Sequence, residues 1–148
     1  MAANSRFAVA THLLTALAFV ERGDSPSGPV SSEALARSVS TNPVVVRRLL
    51  GQLAAAGLVA TQPGRHGGST LARAAQRITL RDVHRAVDEG CPLGASPNEP
   101  NAECPVGRCM GALIDEVLDG VHAAVEGELA QTTVADLADR VARRQRAS

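Results

Sequence analysis

Two groups of side chains in this sequence could do chemistry. The first is Thr41, Asn42, Val44, Val45, Arg47 and Arg48, followed further on by Arg65, His66 and Gly67. An arginine can bond both acceptors on a guanine edge, an asparagine can pair with adenine, and a valine methyl suits the methyl of thymine. The second group is Cys91, Cys104 and Cys109, with twelve residues between the first two and four between the last two. Thiols at that spacing could hold a metal, exchange as a redox pair, or simply be small apolar side chains. An odd number of cysteines in a short chain does not suit a secreted disulfide scaffold.

Cys104 is placed for reactivity. It precedes Pro105 at an expected helix start, where unpaired N–H groups and the helix dipole favour a thiolate. Cys109 lies one turn further on and is expected to be more shielded. Either Cys91 or Cys109 could resolve an oxidised Cys104. His12 could add a ligand, although a lone histidine is more often an ordinary helix residue.

The elements that must position these groups follow from periodicity and punctuation. Ser5 to Arg22 reads as a helix with Phe7, Ala10, Leu14 and Leu17 on one face. The arginine followed by an apolar run from Phe7 to Val20 has the look of a signal peptide. His12 interrupts that run, which is also too short for a membrane span, so a core helix in a cytoplasmic protein is expected. A loop by composition, residues 23–29, precedes a short helix from Glu33 to Ser38 capped by Ser31 or Ser32. Thr41-Asn42-Pro43 then opens a third helix, with Val46, Leu49, Leu50 and Leu53 inward and a stop at Gly57. Two short helices separated by so few residues form a helix-turn-helix, whose second helix can enter a major groove.

Residues 58–62 have strand character, 63–68 form a basic, Gly-rich turn, and 69–72 return. A hairpin directly after a helix-turn-helix is a wing. Its glycines are expected to let the tip approach a sugar-phosphate backbone. Thr79 caps a fourth helix, Leu80 to Asp88, and a Pro-, Asn- and Cys-containing loop follows. From Pro105 a long helix carries Met110, Leu113, Ile114, Val117, Val121, Ala124 and Val125 at heptad-like spacing, with acidic residues outside. A stripe of this kind suits burial against a twofold mate. Thr132 or Thr133 caps a last helix ending in a basic tail. The expected architecture is mainly α with a small β-hairpin: a winged helix-turn-helix domain (1–88), a Cys-containing loop (89–104), and a dimerisation helix with a C-terminal helix (105–148).

Charge supports the division. The 148-residue chain has net charge zero, yet residues 1–86 hold ten Arg against four carboxylates, while residues 87–148 hold five against eleven. A basic half on an acidic half is expected when one part meets phosphate. Enzyme chemistry finds no footing. Gly64, Gly67 and Gly68 precede a strand rather than a helix, unlike a phosphate-binding loop, and no triad or carboxylate pair follows from spacing. A winged helix that binds protein is the remaining rival, and the arginines on the expected DNA surface argue against it.

Several stretches together resemble the Rrf-two family of winged helix-turn-helix transcriptional regulators, of the IscR, NsrR and CymR types. They are residues 4–10 (Asn-Ser-Arg-Phe-Ala-Val-Ala), 41–50 (Thr-Asn-Pro-Val-Val-Val-Arg-Arg-Leu-Leu), 63–68 (Pro-Gly-Arg-His-Gly-Gly) and 78–83 (Ile-Thr-Leu-Arg-Asp-Val). Residues 104–107 (Cys-Pro-Val-Gly) fit the YwnA-like branch. The resemblance implies a homodimer, acting as a repressor on a palindromic duplex-DNA operator, with the long helix crossing its mate. It also leaves open an iron–sulfur cluster on the three cysteines, which IscR- and NsrR-type regulators hold in this loop at closer, more even spacing.

Overall fold

Capping chemistry sets most of the helix boundaries. The computed structural model describes residues 3–23, 28–87, 93 and 98–147. Helix α1 spans Ala3–Glu21 and buries Ala10, Leu13, Leu14, Leu17 and Ala18. The apolar run that looked like a leader is therefore the central helix of the core. Helix α2, Ser32–Val39, starts at Ser31, whose hydroxyl accepts the N–H of Ala34. Helix α3, Pro43–Ala55, starts at Asn42, whose Oδ1 accepts the N–H of Val44 at 2.8 Å, with Pro43 in the first turn. It ends as Gly57 takes φ +71°, and the Leu58 N–H returns to the Leu53 carbonyl.

Strands β1 (Val59–Gln62) and β2 (Gly68–Leu71) pair antiparallel, with Val59 opposite Leu71 and Gln62 opposite Gly68. The hairpin sits one residue off the expected bounds, because Leu58 is spent as a buried residue in the turn after α3. A short 3₁₀ turn, Ala75–Arg77, was not foreseen; it leads into α4, Leu80–Val87. Asp88, and with it Cys91, lies outside the described residues. Helix α5 spans Pro105–Leu129 and α6 spans Val134–Arg146.

The core gathers residues from α1, α2, α3, α4 and α6, with Leu53, Ile78, Val83, Val87, Val134 and Ala138 all out of water. Helix α6, grouped with the long helix on sequence grounds, thus packs back on α1 instead, and Arg22 pairs with Asp139 across that contact. Helix α5 buries no residue at all and meets this body on α4. No helix among the described residues is long and apolar enough to cross a membrane.

Helices α4 and α6 begin side by side in matching capping boxes. Thr79 and Thr133 form a bridge, and their boxes are closed by Asp82 and Asp136. Hydrogen bonds from the Thr133 N–H and hydroxyl hold Asp136 below the usual aspartate range. Partial burial pushes Asp82 up, but the Thr79 N–H and hydroxyl, with Arg73 and Arg81, outweigh it and leave that carboxyl lowered too. A depressed pKa stabilises the fold above the unfolded value, about 3.9 for aspartate, and that stability is lost as pH falls through the folded value. Thermal melts at descending acid pH should therefore show the native chain losing Tm faster than a Thr79→Val, Thr133→Val variant. Parallel curves for the two proteins would mean the boxes contribute nothing to acid stability.

Candidate nucleic-acid interface

The turn between α2 and α3 is built to hold two helices at a fixed angle. Ser40 takes φ 54°, ψ 49°, a left-handed conformation unusual without glycine, and its N–H reaches the Arg37 carbonyl. The Thr41 N–H closes on the Ala36 carbonyl at 3.0 Å. Helix α3 then leaves Val44, Arg47 and Arg48 in solvent while Val46, Leu49, Leu50 and Leu53 anchor it.

One side chain differs from the sequence expectation, and another has part of its polar end engaged. Val45 is half-buried and packs against the core, because it stands at the border of the inward face and not beyond it. Asn42 spends its Oδ1 on the helix cap, so its amide NH₂ is the part left to address a ligand. One residue was missed altogether. Glu33, on α2, accepts from Arg47 Nη1 at 3.0 Å and joins the two helices of the motif. Bonding to its own backbone N–H, helped by the Ser32 hydroxyl and Arg47, holds Glu33 below the usual carboxylate range. Its only sequence signal was being an isolated acid in a basic half; the pairing across fourteen positions could not be read.

The wing stands beside α3. A cleft of about 460 Å³ lies between the start of α2, helix α3 and the hairpin, and Glu33, Arg47, Gly51 and Arg65 line it. Arg47 and Arg65 thus share one concave surface, with His66 exposed at the wing tip. The structure gives two glycines of the wing a reason within the chain itself. A Cβ on Gly67 would stand 2.1 Å from the Gln62 carbonyl oxygen, and one on Gly68 would stand 2.6 Å from that of Val30. Both serve closure of the hairpin and its seat on the Val30–Ser69 bridge. Gly64, at φ +104° with nothing near its would-be Cβ, answers a backbone need of the turn itself.

A model of the Rrf2 family, described as iron-dependent transcriptional regulators, matches residues 3–140. The chain belongs to the Rrf2 family. This Rrf2 regulator is 39% identical over 134 residues to YwnA of Bacillus subtilis (strain 168), a candidate HTH-type transcriptional regulator. The match covers 90% of this chain and 95% of YwnA. A crystal structure of a candidate DNA-binding protein is 34% identical and superposes with a TM-score of 0.68, covering 89% of this chain and 97% of the other. CymR, the global cysteine regulator of B. subtilis, shares the fold at 24% identity and a TM-score of 0.64, over 92% of this chain and 95% of its own. The molecule is a transcriptional regulator of winged-helix fold, in a family that binds DNA and is not enzymatic.

Two cysteines of this Rrf2 regulator, Cys104 and Cys109, stand at the start of α5. Cys104 is the N-cap residue, and its own N–H bonds to the Asn101 carbonyl at 3.1 Å. Cys104 and Cys109 are both free and exposed, so Cys109 is not the shielded thiol expected: α5 has no covering element there. Five residues along a helix turn two side chains about 140° apart. Among the described residues no three His, Cys, Asp or Glu side chains converge on one point, and His12 bonds to Ser38 at 2.8 Å.

Proposed function

We propose that this regulator is a homodimer that binds a palindromic operator and represses by occupying it. Each protomer presents α3 to a major groove and its wing to the flanking backbone. The observation that carries the reading is the bare stripe on α5. Met110, Leu113, Ile114 and Val117 expose 41%, 51%, 41% and 61% of their surface, beside exposed Ala124. Apolar side chains clustered in this way mark an interaction surface. Val121 and Val125 are already half-buried within the chain, so the free part of the stripe is its N-terminal half. A second apolar surface suits the same mate: a groove of about 670 Å³ between α1 and α6, lined by Ala8, Ala16, Phe19 and Val141 among others.

On this reading Arg48 and Val44 face the base edges directly, and Arg47 is presented by Glu33. Thr41, Asn42, Arg65, His66 and the Gly67 backbone lie along the same surface and address the sugar-phosphate chain. The test is selection from random duplexes followed by titration at several salt concentrations. The expected product is an inverted repeat bound by two chains, with log Kd rising steeply with log salt. Recovery of no common sequence, or binding indifferent to salt, would falsify the reading.

The exposure of Cys104 at the helix start supports a thiol switch as the signal. Hydrogen peroxide would oxidise its thiolate to a sulfenic acid with loss of hydroxide, and a second thiol would displace water to give a disulfide. Cys109 cannot be that thiol while the helix is intact. Its Cα lies about 8.7 Å from that of Cys104 by helix geometry, beyond the reach of a disulfide. The resolving thiol is then Cys91 or comes from the mate. Mild peroxide should release DNA from the native chain but not from Cys104→Ser. Equal peroxide response in both proteins would remove the switch.

A further inference from the structure

Helix α5 is long and thinly held, and its main contact with the winged-helix body is on α4. It buries no residue and packs on α4. There Arg85 grips Glu126 with both ends of its guanidinium, Nε to Oε1 at 2.7 Å and Nη2 to Oε2 at 2.5 Å. Helix α4 is itself rigidly seated: Val83 and Val87 are fully buried, and the edge of Phe7 meets the His84 ring at 6.0 Å between centroids. A bidentate arginine–carboxylate pair fixes direction as well as distance. As a pair open to solvent it contributes little to stability. Its effect is on angle.

We propose that the Arg85–Glu126 pair sets the half-site spacing that the dimer accepts, by fixing the angle between α5 and the winged-helix body. This rests on the homodimer reading above. Pro105 lies about 32 Å along the helix axis from Glu126, at 1.5 Å per residue. A tilt of about 6° at the pair therefore displaces the start of α5 by about 3.3 Å. That is close to one base-pair step, roughly 3.4 Å. An error of one base pair also rotates the second half-site by about 34° around the duplex, at 10–10.5 base pairs per turn. Small angular freedom at the pair is thus large freedom in spacing. Arg85 and Glu126 are positioning residues and touch no DNA.

The selected operator is remade with its centre lengthened or shortened by one and two base pairs. It is titrated with the native chain, Arg85→Gln, Glu126→Gln, and the exchange Arg85→Glu with Glu126→Arg. The native protein should lose about tenfold in affinity, 1.4 kcal/mol, for each base pair off the optimum. Either single variant should flatten that profile to less than about threefold while binding an isolated half-site as before; the exchange should restore it in part. Single variants that keep the native profile, or that weaken every spacing equally, overturn the proposal. A second measurement needs no DNA. Gly51 is on exposed α3 with open space around it, so a spin label at Gly51→Cys, with Cys91, Cys104 and Cys109 changed to Ser, reports the separation of the two recognition helices. Arg85→Gln should broaden that distance distribution, and an unchanged width overturns the proposal even where DNA binding stands. Absence of any inter-protomer distance in the native background would instead overturn the dimer itself.

Discussion

Ile114→Asp combined with Val117→Asp will leave the protein monomeric and weaken its hold on a full operator by roughly 10²–10⁴-fold, the usual loss when two linked sites become one. Both side chains project from the uncovered half of α5. Burying an aliphatic side chain of this size contributes about 1.5–3 kcal/mol, and a twofold interface counts each substitution twice. Adding a carboxylate that must be desolvated raises the cost further. The body should be untouched, since α5 contributes nothing to the buried core. Sedimentation, thermal melting and titration of half- and full-length operators make the separate readouts. A variant that sediments as a dimer would show that the stripe is not the interface.

The second large effect is expected from Arg47→Ala with Arg48→Ala. Each arginine that makes a bidentate base contact is worth about 1–3 kcal/mol, so the pair should lose at least about fivefold and, with two such contacts, at least about thirtyfold. The two arginines are not equivalent. Arg47 is held by Glu33 before DNA arrives, whereas no described carboxylate pairs with Arg48. Arg47→Ala alone should relax preference at one base pair. Arg48→Ala should do the same if it meets a base, or lower the salt slope by about one if it meets a phosphate. Near-native binding by the double variant would take α3 out of the readout.

What could be read from the sequence was local. Asn42-Pro43, Thr79 with Asp82, and Thr133 with Asp136 announce helix starts because a cap needs only neighbours within one turn. The inward face of α3 and the bare stripe of α5 were legible for the same reason: both are helical periodicities. Pairings between distant residues were not. Glu33 with Arg47, Arg85 with Glu126, and Val30 with Ser69 depend on how finished elements meet, and nothing in the spacing marks them. The docking of α6 on α1 belongs with these. At the wing the glycines were noticed, but the nearby carbonyl oxygens that Gly67 and Gly68 must clear were not legible, since Val30 lies far away in the sequence.

That docking of α6 has a consequence for how the protein comes into being. Val134 and Ala138 complete the surface that α1 offers from the far end of the chain. Contacts so distant in sequence form late and slow folding. On the ribosome, at about 5–20 residues per second, more than a hundred residues must follow α1 before its last neighbour emerges, a delay on the order of ten seconds. By the later part of that interval α2, α3 and the wing have been synthesised, but the core that holds them still lacks Val134 and Ala138. On the proposed DNA-binding reading, a nascent chain gains its mature grip only once α6 has emerged, and a truncation before Val134 should give a fragment with an unfinished core rather than a half-sized competitor for the operator.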